Sequence, residues 1–134
     1  MAKVETIEGV GPALAEKLAA AGITSCEALL EAGASKQGRA ELAEKSGISE
    51  GQLLKFVNHC DLMRIKGVGG EYAELLECAG VDSVPELAQR NAANLAAKMA
   101  EINEQKKLVR AVPSEKDVAK WVAQARELPK VVTH

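Results

Sequence analysis

The apolar side chains of this chain recur at spacings of three and four residues, in short segments that are separated by polar and glycine-containing stretches. This spacing places them on one face of an α-helix. Two segments show the pattern most clearly, one after Ser49 and one after Ser114, and a serine suits a helix N-terminus. The stripes are Leu53, Leu54, Val57 and Cys60 in the first segment, and Val118, Trp121, Val122, Ala125 and Leu128 in the second.

The same criteria predict an all-α fold of about eight short helices. Pro12 suits a first helical turn, because its missing N–H is not needed there, and Gly22 suits the position after a helix end. No alternating β-branched run indicates a strand. The predicted helices are residues 12–21, a segment beginning after Thr24 or Ser25, and residues 36–45, 49–63, 71–79, 84–90, 92–105 and 114–128.

Two blocks of sequence occur twice in the same order, which indicates an internal repeat. Residues 7–11, Ile-Glu-Gly-Val-Gly, recur 58 positions later as Ile-Lys-Gly-Val-Gly in residues 65–69. Residues 49–57 recur 65 positions later, so the second repeat carries an insertion, which we place at residues 103–113. We predict two tandem repeats, residues 1–64 and 65–134, that share a core and form one compact domain with pseudo-two-fold symmetry.

Each repeat begins with a turn in which two glycines flank one valine. We call residues 7–11 hairpin one and residues 65–69 hairpin two. The glycines have no Cβ and allow a tight turn, and we expect the valine to point inward. The helix that follows has unpaired N–H groups and a positive dipole end, which bind an oxyanion without any basic side chain. The hairpins are therefore candidate phosphate sites.

These segments resemble the helix-hairpin-helix superfamily. The residues that carry the resemblance are Ile7-Glu8-Gly9-Val10-Gly11-Pro12 with Ala15 and Leu18, and Ile65-Lys66-Gly67-Val68-Gly69-Gly70 with Ala73 and Leu76. Residues 21–25 and 79–83 look like the variant found in recombinases and several DNA-repair proteins. The doubled layout is similar to a family of small bacterial proteins of unassigned function. The resemblance implies that the hairpin glycines and the next helix N-terminus hold DNA phosphates, with paired motifs straddling the minor groove.

Hairpin two fits this role better than hairpin one. Pro12 removes one N–H donor from hairpin one, and Glu5 and Glu8 beside it repel phosphate, whereas Gly70 keeps its N–H and hairpin two has basic neighbours. The predicted nucleic-acid-binding residues are Arg64, Lys66, Gly67, Val68, Gly69, Gly70 and Glu71 at hairpin two, and Gly9, Gly11 and Ala13 at hairpin one, with Lys106, Lys107 and Arg110 as a basic extension.

Hairpin one lacks a preceding helix, because only six residues come before Ile7. The helix predicted for residues 114–128 is the counterpart of the one predicted for residues 49–63, which leads into hairpin two. By pseudo-symmetry we predict that the C-terminal helix completes hairpin one and buries Trp121 near Leu14, Leu18 or Val10. A partner chain could supply the same helix, so a monomer and a swapped dimer both stay open.

Composition and charge restrict the function. The net charge is −2 and the pI is near 5.8, which limits affinity for a polyanion. No segment is long and apolar enough to span a membrane and no signal peptide is present, so we expect a cytoplasmic protein. Three widely spaced cysteines indicate reduced, mostly buried thiols. We expect no metal at His59, no cofactor, no enzymatic activity and a half-buried, packing Tyr72.

Two functions from different classes follow. The first is weak, sequence-independent binding of duplex or branched DNA, or of another nucleic acid, through the hairpin amides. The alternative is a protein-interaction or scaffold module, which the acidic surroundings of hairpin one and the net charge of −2 support.

Overall fold

The computed structural model describes residues 2–134, and within this range the chain is all-α, as predicted. A short 3-10 helix, Val4–Thr6, precedes eight α-helices, and the extended pairing in this range is one isolated bridge between Lys3 and Ser25. No helix in the described range is long and apolar enough to cross a membrane. The α-helices are α1 Pro12–Ala20, α2 Cys26–Gly33, α3 Lys36–Ser46, α4 Glu50–Leu62, α5 Gly70–Cys78, α6 Val84–Ala88, α7 Ala92–Lys106 and α8 Glu115–Glu127.

Short polar side chains cap the starts of α2, α3, α4, α7 and α8, and the predicted starts of these helices lie close to the observed ones. The Ser49 hydroxyl accepts a hydrogen bond from the Gln52 amide at 3.2 Å, as expected of an N-cap. Ser114 takes part in two capping bonds. Its hydroxyl accepts a hydrogen bond from the Asp117 amide at 3.1 Å, and the Asp117 carboxylate accepts one from the Ser114 amide at 3.2 Å. This reciprocal capping box fixes the start of α8.

The chain divides into two compact units. The first consists of Met1–Asp61 together with Val131–His134, and the second is Leu62–Lys130. The division falls between Asp61 and Leu62, and the last four residues belong with the first unit. The predicted shared core and pseudo-symmetry stay predictions.

Within the first unit, a buried arginine ties the end of α2 to the C-terminal segment. Arg39 is only 4% exposed, and its guanidinium donates to the carbonyls of Gly33 at 2.8 Å, Ala34 at 3.2 Å and Thr133 at 2.8 Å. The Thr133 amide in turn donates to the Ala34 carbonyl at 2.8 Å. These bonds satisfy carbonyls at a helix end that have no partner within the helix.

Within the second unit, α8 packs against α6 and α7 and contributes one side of the hydrophobic core. Its buried residues are Val118, Trp121, Val122 and Ala125. They form one cluster with the apolar residues of hairpin two, α5, α6 and α7. The predicted stripe on this helix is therefore its buried face.

The prediction that α8 completes hairpin one is wrong, because its buried face covers hairpin two. The Trp121 indole Nε1 lies 3.1 Å from the position that a Cβ would occupy at Gly67. Trp121 shares its core cluster with Val68, and not with the predicted neighbours Leu14, Leu18 and Val10. The physical reason is that each repeat ends with a helix that covers its own hairpin. In the first unit the residue that corresponds to Trp121 is Phe56 of α4, whose ring lies 3.6 Å from the position that a Cβ would occupy at Gly9.

Candidate functional site

Hairpin two has the geometry that its glycines were expected to allow. Gly67 adopts a φ of +98°, in the left-handed region that favours glycine. Val68 is buried, as predicted, and its amide donates to the Ile65 carbonyl at 3.1 Å, which closes the turn. Gly69 is extended and precedes α5, and its carbonyl accepts the first helical hydrogen bond, from Ala73 at 2.9 Å.

Some backbone amides around this turn donate a hydrogen bond within the protein and others do not. Among the described residues, no acceptor lies within hydrogen-bonding reach of the amides of Gly67, Gly69, Gly70, Glu71 or Tyr72, and Gly69 makes no side-chain cap. Gly67, Gly69 and Glu71 are exposed. Free N–H groups at a helix start attract an anion through their hydrogen atoms and through the helix dipole. The amide of Val68 is bonded within the turn and its side chain is buried, so this predicted residue has no free N–H group.

Residues from the predicted insertion form the opposite wall of a cleft at hairpin two. The cleft has a volume of about 590 Å³. The Tyr72 hydroxyl donates to the Ala111 carbonyl at 2.7 Å, and the Asn103 side chain bonds both the amide and the carbonyl of Val109, at 2.9 and 3.0 Å. These contacts hold the insertion beside the turn. The cleft is lined by Gly67, Gly69, Gly70, Glu71, Tyr72, Val109, Arg110 and Ala111.

The basic residues that were predicted to assist the hairpin do not all reach the cleft. Arg110 lines it and is exposed, whereas Lys106 directs its ammonium group toward the Cys78 sulfur, at 3.9 Å, and Lys107 ends α7 with a φ of +52°. Lys66 has an exposed side chain next to Gly67. The Arg64 guanidinium donates to the Pro129 carbonyl at 2.9 Å. Of the predicted extension, the structure therefore brings Arg110 alone to the cleft lining.

Hairpin one repeats the backbone geometry of hairpin two. Gly9 has a φ of +92°, Val10 is buried, and the Val10 amide donates to the Ile7 carbonyl at 3.1 Å. No acceptor within residues 2–134 takes the amides of Gly9, Gly11 or Ala13. Pro12 is the first residue of α1, where Gly70 stands in α5, so hairpin one offers one donor fewer, as the sequence indicated.

Two residues that position hairpin two were missed in the sequence. The Gln124 amide group accepts from the Lys66 amide at 2.9 Å and donates to the Lys66 carbonyl at 3.3 Å. The Trp121 ring lies 5.3 Å from the Tyr72 ring, centroid to centroid, at an interplanar angle of 54°. Gln124 follows Trp121 by three positions, which puts both on one helix face, and this spacing was the available signal. Tyr72 is half-buried and packs, as expected.

The cleft has the donors of an anion-binding site. Its lining includes the glycine turn with its backbone N–H groups and the basic residue Arg110, while the acidic Glu71, also in the lining, opposes an anion. In the part of the chain that the structure describes, no group of three or more His, Cys, Asp or Glu side chains is placed to hold a metal ion.

The fold and this cleft define a small all-α protein with a glycine turn before a helix start. Residues 8–128 match the model of a protein family described as a domain of unknown function, DUF4332, and the chain belongs to this family. No curated protein and no solved structure matches the chain. The helix-hairpin-helix relationship stays a prediction from the motif.

Proposed function

We propose that hairpin two binds the sugar-phosphate backbone of a nucleic acid, without sequence preference. The observation that carries the proposal is the set of unoccupied amides, at Gly67 and at Gly69 through Tyr72, which opens into a cleft with Arg110 on its other wall. A phosphate group needs several convergent donors, and a helix start supplies them already oriented. Contacts of this kind carry no base information, so binding is independent of sequence.

The charge of the chain sets the expected strength. Among the described residues Arg110 lines the cleft and Lys66 is exposed beside Gly67, Glu71 opposes them, and the net charge is −2. We therefore expect a dissociation constant of roughly 10⁻⁴–10⁻⁶ M, the range of non-specific binding at physiological salt. About two displaced phosphate counterions would give a shallow salt dependence, because the slope scales with the number of phosphates that basic side chains neutralise.

A salt titration of binding to duplex and branched DNA tests the proposal. Reversing two cleft-side charges in the variant Lys66→Glu with Arg110→Glu should abolish binding at low salt. The matched control reverses two charges elsewhere, with Lys45→Glu in α3 and Lys98→Glu in α7, since both side chains are exposed and neither lines the cleft. The control should retain most of the affinity. Equal loss in both variants, or no binding by the native chain at low salt, would contradict the proposal.

One observation favours the alternative, a protein-interaction surface at the same place. Val112 is 42% exposed and directly follows Ala111, so an apolar side chain lies next to the cleft lining. A protein partner would use this side chain, whereas a phosphate backbone would not. Replacing Val112 with serine should therefore leave DNA binding unchanged if the nucleic-acid proposal holds.

A further inference from the structure

The last four residues, 131–134, follow the second unit in the chain but belong to the first unit. We call them the tail. They have no regular secondary structure, and one of their side chains is buried, that of Val132, which is 3% exposed. Val131 is half-buried, and Thr133 and His134 are exposed. The first unit therefore holds the tail as a short peptide segment anchored by one apolar side chain.

Backbone groups of the tail make its strongest hydrogen bonds. The Thr133 amide donates to the Ala34 carbonyl, and the Thr133 carbonyl accepts from the Arg39 guanidinium, both at 2.8 Å. The Thr133 hydroxyl adds a longer bond to the Ala34 carbonyl, at 3.3 Å. Main-chain bonds of this kind supply affinity for a peptide, and a pocket for one side chain supplies selectivity. The place that receives the tail, which we call the tail site, therefore has both features of a peptide-binding site.

Arg39 makes the tail site a receptor for a carbonyl group. It is 4% exposed, and a buried guanidinium is costly unless its donors are paired. Its Nη1 bonds the carbonyls of Gly33 and Ala34 at the end of α2, whereas its Nη2 bonds the Thr133 carbonyl. Departure of the tail removes the acceptor of Nη2. The site therefore favours any segment that returns a carbonyl to this position.

The second unit has the same helix position without a carbonyl receptor. Ser35 caps α3 and Asn91 caps α7, and the fourth residue after each cap is Arg39 in α3 and Leu95 in α7. Both are buried, and Leu95 belongs to the apolar core cluster of the second unit. An apolar side chain is therefore sufficient for packing at this helix position. The arginine in the first unit serves the carbonyl groups that it binds, including that of the tail.

A short exposed connection leads from α8 to the tail. Leu128 follows α8 with an extended backbone, and Pro129 and Lys130 are exposed. The Arg64 guanidinium bonds the Pro129 carbonyl at 2.9 Å, so the chain is held up to this residue and Lys130 is the place where the tail can change direction. Release of the tail therefore uncovers one buried side chain and unfolds no helix.

We propose that the tail site also binds the tail of a second copy of this chain, so that two copies associate by exchanging residues 131–134. The structure defines the occupant, because the site already holds this segment. Exchange of an identical segment forms the same contacts between copies as within one copy. A short connection gives the tail an effective concentration on the order of 1 mM at its own site, so exchange becomes detectable as the protein concentration approaches this range.

Sedimentation velocity of the full-length chain, over a concentration series up to about 1 mM, tests the exchange. We expect a dimer fraction that rises with concentration. Val132→Asp should abolish the dimer, because a carboxylate is costly to bury without a partner. The matched control, Val131→Asp, introduces the same charge at the neighbouring, half-buried residue and should retain most of the dimer. A monomer at every concentration, or a dimer that persists in Val132→Asp, would overturn the proposal.

A synthetic peptide with the sequence of residues 128–134, fluorescently labelled and amidated at its C-terminus, tests the tail site by itself. Its anisotropy is titrated with full-length Val132→Asp, in which the chain's own tail no longer competes. We expect binding about tenfold tighter than to the native chain, and none by the same peptide with Val132→Asp. Equal binding to both proteins, or none to a variant that circular dichroism shows to be folded, would contradict the proposal. The concentration series on the native chain does not depend on the folding of any variant.

Discussion

The indole Nε1 of Trp121 lies 3.1 Å from the position that a Cβ would occupy at Gly67, so the turn of hairpin two and the buried face of α8 meet at that glycine. The corresponding contact in the first unit is looser, since the Phe56 ring lies 3.6 Å from a Cβ at Gly9. Both glycines have positive φ values, +98° and +92°. The two sites therefore share the backbone requirement and differ in the space for a side chain.

Gly67→Ala should destabilise the protein more than Gly9→Ala. Both substitutions place a Cβ on a left-handed backbone, which costs about 1–3 kcal/mol. Gly67→Ala additionally forces the Trp121 ring to move by a few tenths of an ångström within a packed core. The free energy of unfolding from urea titrations, together with Trp121 fluorescence, measures this difference. A larger loss for Gly9→Ala would show that the contact with Trp121 has no energetic weight.

Exchanging the residues at the first position of α1 and α5 should change anion binding without changing stability. Gly70→Pro copies Pro12, suits the first helical turn, and follows an extended Gly69, which is the backbone preferred before proline. It removes one free amide from the cleft, and we expect DNA affinity to fall by about fivefold, the equivalent of about 1 kcal/mol for one hydrogen bond. Fluorescence anisotropy with labelled duplex measures the change.

The converse variant, Pro12→Gly, is the control for this exchange. It adds an amide to hairpin one, which the proposal regards as the weaker site, so affinity should rise by less than Gly70→Pro lowers it. A larger effect of Pro12→Gly would move the main binding site to hairpin one. Unchanged affinity in both variants would argue against amide-mediated binding altogether.

Local features were predictable from the sequence because local chemistry determines them. The starts of α4 and α8 follow from Ser49 and Ser114, whose hydroxyls cap the helices, and the inward valines follow from the glycines on either side. The all-α class was accordingly right, and the predicted helix ends lie within two residues of the observed ones. The free amides at residues 69–71 were also predictable, since a helix start without a capping side chain leaves them unpaired.

Long-range placement was not predictable in the same way. The apolar stripe of α8 identifies its buried face and not the hairpin that it covers, since both hairpins present the same valine and glycines. The distribution of the basic residues depends on the path of residues 107–113, which Asn103 and Tyr72 fix through side-chain bonds to backbone groups. No periodicity within one helix encodes such contacts.

Replacing Arg39 with methionine should destabilise the first unit by about 2–3 kcal/mol. Methionine keeps the aliphatic bulk but removes the guanidinium donor from the carbonyls of Gly33 and Thr133, and the bond to Gly33 is buried, so the loss of its donor is costly. Arg126→Met is the matched control, because Arg126 is exposed and donates to the Ala88 carbonyl at 3.1 Å. It should cost less than about 0.5 kcal/mol. Urea titrations of both variants test this, and equal losses would contradict it.

Alkylation of Cys26 by iodoacetamide should follow a titration with a midpoint near pH 7. Its pKa is lowered from 9.0 to about 7, mainly by the neighbouring Cys60 thiol. Only the thiolate reacts, so the rate rises through this pH. In Cys60→Ala the main cause of the shift is gone, and the midpoint should move upward toward 9.0. The measurement is the alkylation rate of the Cys26 peptide, followed over about four pH units that include both expected midpoints. An unchanged midpoint in Cys60→Ala would exclude the thiol pair as the cause.

The same shift has a defined effect on stability. Folding lowers the pKa of Cys26, so the folded protein holds the thiolate better than the unfolded chain does. The Cys26 contribution is lost as the pH falls through about 7 and is complete near pH 9.0, above which the raised pKa of Cys60 acts in the opposite direction. The urea midpoint of the native chain should therefore rise between pH 7 and pH 9 relative to that of Cys26→Val with Cys60→Ala. Parallel pH profiles for the two proteins would show that the thiolate does not stabilise the fold.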